Sequence, residues 1–225
     1  MIIDFHAHVL PAADHGSDSL ETSLRQLTQA AEAGVDVLAA TPHFYPHHEN
    51  LAQFLERRTN AEAALRRALP ASSPKLIVGA EVQLCRGLQH LDGLERLCFA
   101  GTKTLLLELP PDFSLAELDP TLDALLYKQQ VNPVLAHVDR YDPRAIDVLF
   151  SRGYRGQLNA SALCRLRGRR QCLHWISNGY IVALGSDLHG TQMGYQDFMQ
   201  ALTRLEASRR PMMHSAQQLL GLSST

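Results

Sequence analysis

Met1-Ile2-Ile3-Asp4-Phe5-His6-Ala7-His8 opens the chain and decides how the rest of it reads. Its apolar, β-branched start predicts a short buried strand. On a strand, side chains two apart point the same way, so Asp4, His6 and His8 share a face. Two neutral imidazoles side by side at a strand end are a good beginning for a metal site. Alone, a His-x-His pair reads more readily as two satisfied core or surface histidines. The remaining sequence has to choose between the two.

Working outward, further apolar runs lie at 35–40, 76–78, 104–107, 134–136, 157–159 and 181–185. Between them stand segments with helical patterning. Asp18 and Glu21 predict a capping box before a stripe of Leu20, Leu24, Leu27 and Ala31, which Gly34 closes. Helices are also expected over 49–68, 88–98, 115–130, 143–153, 170–179, 196–206 and 212–220, with Pro143 in a first turn. Strands alternating with helices predict parallel pairing. Seven such units favour a closed or nearly closed βα barrel over an open doubly wound sheet. No linker, repeat or low-complexity segment divides the chain, so 1–225 reads as a single domain.

In βα barrels the functional groups gather at the C-terminal ends of the strands. The residues expected there are His6 and His8, His43, Glu81, Glu108, His137, and then Asp187 and His189. Only the run ending at Asn159 contributes no such group. An ionisable side chain directly behind a buried run is costly unless it is paired or bound to a cation. Mixed imidazole and carboxylate ligands suit zinc, iron or manganese and disfavour a pure calcium or magnesium cage. No cysteine stands among them, which argues against a structural thiolate zinc site. Eight or nine ligands imply two or three ions, and clustered ions suit hydrolysis of a phosphate ester.

The composition narrows the field further. A chain of 225 residues, 45% hydrophobic, can bury one large core. A formal charge of −2 speaks against a general nucleic-acid binder. No charged-then-apolar leader and no bilayer-length apolar run is evident, so a soluble, cytoplasmic protein without membrane insertion is expected. Cys85, Cys98, Cys164 and Cys172 have no framework spacing and read as reduced thiols.

The set His6-x-His8, His15, Thr41-Pro42-His43, Gly79-x-Glu81, Glu108, His137-x-x-Arg140-Tyr141 and Ser186-Asp187-x-His189 resembles the PHP (polymerase and histidinol phosphatase) superfamily. Within it, the nearest likeness is to the manganese-dependent protein-tyrosine phosphatases of bacterial capsule and exopolysaccharide loci. The resemblance implies a distorted (β/α)7 barrel, TIM-barrel-like, with metals at its mouth. It implies a first ion on His6, His8, Glu81 and Asp187, and a second on Glu81, Glu108 and His137. A third would sit on His15, His43 and His189. Two or three divalent ions are implied, manganese first, with iron or zinc as alternatives. A metal-bridging hydroxide would attack phosphorus, and Arg140 would grip the phosphate as the catalytic and substrate-binding cation. The implied partner is a phosphotyrosine protein, a tyrosine kinase of polysaccharide export among the candidates; a homo-oligomer is compatible.

Three departures accompany the resemblance. The capsule-locus enzymes usually carry Asp-Asp-Gly where this chain has Asp14-His15-Gly16. Residues 190–194 lack the arginine that the family often places after Asp-x-His. The stretch between His137 and Asp187 is short and contains Arg165, Arg167, Arg169 and Arg170. Arg165 or a neighbour replaces the missing arginine, or the four form a solvated basic loop. Other readings stay open: a small phosphate monoester such as histidinol phosphate as substrate, or a metal-binding regulator without catalysis. Cys164 and Arg170 also fit the Cys-x5-Arg spacing of cysteine-dependent phosphatases.

Overall fold

The apolar runs become the strands of a computed structural model, which describes residues 1–190, 195–205 and 208–223. β1 (Ile3–Ala7) is buried at every position. β2 (Val37–Ala40) lies parallel between β1 and β4 (Lys75–Val78), giving a three-stranded sheet. A second, six-stranded parallel sheet runs β3 (His43–Phe44), β5 (Glu81–Gln83), β6 (Thr104–Glu108), β7 (Asn132–Leu135), β8 (Arg155–Asn159) and β9 (Ile181–Gly185).

Two of the seven predicted strands are therefore broken. Thr41-Pro42 separates β2 from β3, and Gly79-Ala80 separates β4 from β5. Pro42 has no N–H to give to a ladder. At Gly79 a Cβ would come 2.6 Å from the Phe99 ring, so the chain bends where only glycine fits. Past each break the strand continues in the other sheet. The chain beyond β9 returns to β1: the Asp187 N–H donates to the His6 carbonyl at 2.7 Å, and the His8 N–H to the Leu188 carbonyl at 3.1 Å. The result is the distorted (β/α)7 barrel expected from the sequence, with the distortion at these two breaks.

The helices cover the outside. α1 (Leu20–Glu32) is capped by Ser19, not by Asp18: the extended backbone of Ser19 lets its hydroxyl accept from the Thr22 N–H at 3.2 Å. Asp18 accepts instead from the Thr22 hydroxyl at 2.6 Å. α2 (Leu51–Ala68) starts with a capping box of Asn50 and Gln53. Residues 88–98 form two 3₁₀ turns rather than a helix, each entered through a left-handed glycine, Gly87 and Gly93. α3 (Leu115–Asp123) runs into a π turn, Ala124–Lys128. α4 (Pro143–Ser151), the short α5 (Ala160–Cys164) and α6 (Arg169–Ser177) follow, then α7 (Gln196–Leu205) and α8 (Arg209–Leu219). The predicted end of α7 at 206 lies outside the described residues. Phe5, Phe44, Phe54, Phe99 and Trp175 anchor the core. Among the described residues no helix is long and apolar enough to cross a membrane. All four cysteines are free thiols.

Candidate metal centre

The C-terminal ends of the strands bring the predicted ligands together. His6 lies on β1, with His8 just past it. His43 and Glu81 are the first residues of β3 and β5, placed there by the two strand breaks. Glu108 ends β6, and His137 and Asp187 follow β7 and β9. His137 (φ 31°) and Asp187 (φ 53°) both hold left-handed backbone. Such conformations cost about 1–3 kcal/mol in a non-glycine residue and cluster at functional sites.

Glu81 is the hub. One of its oxygens, Oε2, lies 3.2 Å from the Nε2 of both His6 and His8, and 3.0 Å from His43 Nδ1. The other, Oε1, lies 2.7 Å from His137 Nε2, which is itself 3.6 Å from Glu108 Oε1. Asp187 Oδ1 reaches His6 Nε2 at 3.5 Å and His8 Nε2 at 3.4 Å. Three sets have ligand atoms all within 4.8 Å of one another: His6, His8 and Asp187; His43, Glu81 and Glu108; and His8, His43 and His189. His15 is outside these sets. Its ring stacks on those of His43 and His189, each at 4.8 Å between centroids.

Hydrogen bonds behind the ligands fix which nitrogen faces inward. His6 Nδ1–H donates to Gln157 Oε1 at 3.1 Å, and His8 Nδ1–H to Asp14 Oδ2 at 2.7 Å. Both Nε2 lone pairs then face the same space, 3.0 Å apart. Two lone pairs at that separation repel unless a proton or a metal ion stands between them. His43 Nδ1 is likewise buried and has no hydrogen-bond partner despite its closeness to Glu81. An orphaned imidazole nitrogen, facing lone pairs and shared carboxylates are what a divalent-metal donor set looks like before the ion is counted. The residues fit the group.

Without an ion, protons balance the carboxylates: burial lowers His6 and His8, but Glu81 and Asp187 raise the first, and Asp14, Asp187 and Glu81 the second. Burial favours a neutral His43 and pushes it down to about 3, so its lone pair is free at neutral pH. Burial opposes charge on Glu81 too, but the surrounding imidazoles of His6, His137 and His8 outweigh it and hold the carboxyl well below its usual range. Asp187 is lowered in the same way, burial being overcome by His6 and His8. Glu108 is raised, first by burial and then by repulsion from Glu81. Two carboxylates that repel each other favour a cation between them.

Several contributors were not legible in the sequence. Gln157 accepts from the His137 N–H at 2.7 Å as well as from His6, and donates to Asn159 Oδ1 at 3.1 Å. Asn159 in turn donates to Asp187 Oδ2 at 2.8 Å. So the one strand end without a ligand orients ligands on three others. Asp14 grips His8 and also accepts from the His43 N–H at 2.9 Å. The Tyr45 ring stacks on His43 at 5.1 Å. Asp4 shares the buried side of β1 but is no ligand: it accepts from the Ser186 N–H at 2.8 Å and the Tyr195 hydroxyl at 2.7 Å.

The cations fall out unequally. Arg140, half-exposed, donates to Asp187 Oδ2 and so borders the centre. Arg165, just past the end of α5, donates to the Ser161 hydroxyl in that helix's first turn. The stretch after Gly190, where the family's further arginine is missing, lies at 191–194, outside the described residues. Cys164 donates to the Asp197 carbonyl at 3.4 Å, and burial together with Asp197 raises its pKa. A thiol nucleophile needs the opposite shift.

A seven-stranded βα barrel whose mouth gathers imidazoles and carboxylates around one space is a metal-centred barrel of the kind that hydrolyses esters. The chain belongs to the CpsB/CapC family of capsular polysaccharide synthesis, whose model matches residues 2–219. It is 26% identical over 226 residues to the tyrosine-protein phosphatase YwqE of Bacillus subtilis, covering 91% of this chain and 84% of that one. To the tyrosine-protein phosphatase CpsB of Streptococcus pneumoniae it is 29% identical over 153 residues, covering 63% and 58%. Its fold matches a crystal structure from the pair YwqE of B. subtilis and CpsB of S. pneumoniae, described as unique metal-dependent tyrosine phosphatases. That match has a TM-score of 0.80 at 23% identity, over 99% of this chain and 96% of the other.

Proposed function

We propose that this chain is a metal-dependent phosphatase that hydrolyses phosphotyrosine in a protein of capsule or exopolysaccharide synthesis. One observation carries the reading: His6, His8, Glu81, Glu108, His137 and Asp187 converge at the barrel mouth with Arg140 at their border. His6, His8, Glu81 and Asp187 would hold one ion and Glu81, Glu108 and His137 a second, Glu81 shared between them. His43 and His189 would hold a third together with His15, whose ring stacks on both. Manganese is the first candidate, with iron and zinc behind it. Bound divalent ions would polarise the phosphoryl oxygens and make water a nucleophile near neutral pH.

The chain's own side chains do the rest. Gln157 and Asp14 hold His6 and His8 in the tautomers that present Nε2 inward. Arg140 binds a phosphoryl oxygen and balances the charge that grows on the transferring group. A tyrosine leaving group, with a phenol pKa of about 10, needs little protonation. Arg165 or a neighbouring arginine is proposed to take the place of the family's missing arginine as a phosphate contact. The protein substrate would be one made by a tyrosine kinase, the polysaccharide-export kinases included.

The test is hydrolysis of a chromogenic aryl phosphate and a phosphotyrosine peptide after complete chelation, then with manganese, iron, zinc or magnesium restored singly. Loss on chelation and recovery with one ion supports the reading. Activity that survives chelation refutes it, and turnover of histidinol phosphate in preference to the peptide refutes the substrate.

A further inference from the structure

Beside the metal centre lies a cavity of about 520 Å³. Glu108, His137 and Arg140 line it, so it opens directly off the ligands and the phosphate-gripping cation. Its apolar lining is Leu109, Pro111, Phe113 and Tyr141, and Asp112 and Asp142 also border it. Phe113 and Tyr141 meet edge to face, their centroids 5.8 Å apart and their planes at 82°. Tyr141 is tied down: its hydroxyl donates to the Leu109 carbonyl at 2.8 Å, and burial, then Glu108 and Glu81, raise its pKa. Tyr141 therefore offers the cavity a fixed ring rather than a proton. Phe113 stands half-exposed on the loop between β6 and α3.

Metal catalysis of phosphate transfer does not need such a wall. The phosphoryl group is served by ions and Arg140, and nothing in that chemistry calls for two perpendicular rings next to Glu108. The group that leaves has to go somewhere, and this cavity adjoins both Arg140 and the ligands. We propose that Phe113 and Tyr141 form the slot for the ring of the leaving group, so that the site selects aryl over alkyl phosphates. This rests on the phosphatase reading above. Two perpendicular rings present an edge and a face at once, and a third ring can complete the cluster in offset or T-shaped contact. An alkyl ester leaves the same surfaces in water. The pair is a specificity device, distinct from the residues that act on phosphorus.

Phosphonates separate this idea from the chemistry, because they bind without turning over. Binding of phenylphosphonate and methylphosphonate to the manganese-loaded protein is measured by calorimetry, in wild type, Phe113→Ala and Phe113→Leu. Wild type is expected to bind phenylphosphonate about tenfold more tightly, and both variants to bring the two within about twofold. Phe113→Leu keeps apolar bulk without the ring, so its loss of preference cannot come from a collapsed loop. In hydrolysis of an aryl phosphate the variants raise KM more than they lower kcat. Equal binding of the two phosphonates in wild type, or a preference that survives in both variants, overturns the slot and leaves the phosphatase reading standing. If neither phosphonate binds, the phosphatase reading fails and takes the slot with it.

Discussion

Gln157→Leu removes a side chain that touches no substrate, and its effect can be worked from the contacts. Gln157 is fully buried and its Oε1 accepts from both His6 Nδ1–H and the His137 N–H, at 3.1 and 2.7 Å. Leucine has nearly the same shape and no acceptor, so two buried donors are stranded. Each costs about 1–3 kcal/mol, putting the loss of stability at about 2–6 kcal/mol in the metal-free protein. His6 also loses what fixes its tautomer, and loss of such a partner typically weakens metal affinity 10–100-fold, or about 1.4–2.7 kcal/mol. Denaturant unfolding of the metal-free protein and a manganese titration of the folded protein measure the two terms separately. Gln157→Glu restores an acceptor for both donors and should recover most of the metal affinity. A Gln157→Leu protein that unfolds and binds manganese like wild type would refute the assignment of Gln157 as the group that orients the ligands.

Four other outcomes are expected. Gly16→Ala would bring a Cβ to 2.0 Å from His8 Cβ, so the loop must move and Asp14 lose its grip on His8; manganese affinity should fall about tenfold or more by titration. Arg140→Ala should raise KM for an aryl phosphate by about tenfold or more, with Arg140→Lys recovering only part, since an ammonium cannot reproduce the two-pronged guanidinium contact. Cys164→Ser should leave turnover within about twofold of wild type, because the thiol donates to a backbone carbonyl and is raised, not activated. Burial pushes the thiols of Cys98 and Cys172 from 9.0 up to about 11. Between those values the unfolded chain gives up protons that the folded chain keeps, so stability falls as pH rises, by up to about 1.4 kcal/mol per pH unit for each thiol. Unfolding curves of Cys172→Ala against wild type between pH 8 and 11 would show a shallower fall if this is right.

The ligand set was legible because it follows a rule that sequence carries. Aliphatic runs such as Leu105-Leu106-Leu107 and Val134-Leu135-Ala136 have an ionisable residue directly behind them, and a parallel barrel puts all such residues at one end. The breaks were harder to read. Pro42 and Gly79 were visible, but as strand ends, and nothing local says that the chain resumes in a second sheet beyond them. Gln157 and Asn159 were illegible for a different reason. Neutral amides carry no charge to justify, their run is weak, and the contact that gives Gln157 its role reaches a residue 151 positions away. Ser19 displaced Asp18 as the cap of α1 through a one-residue difference in backbone conformation. His15, placed with the third ion by resemblance, stacks on its neighbours outside the three close sets.

The return of the chain from β9 to β1 bears on how the protein is made. Asp4 and Ser186, joined by a hydrogen bond, stand 182 residues apart in sequence, and the same seam brings Asp187 to His6 and His8. A ribosome delivers the His-x-His pair long before Asp187. Until then the nascent chain has two histidines and no complete cradle. Contacts this far apart must wait for the last barrel strand, which makes folding slow and leaves strand edges open meanwhile. Metal capture is therefore expected only once β9 is made, and a truncated product that stops short of β9 should emerge without a working centre.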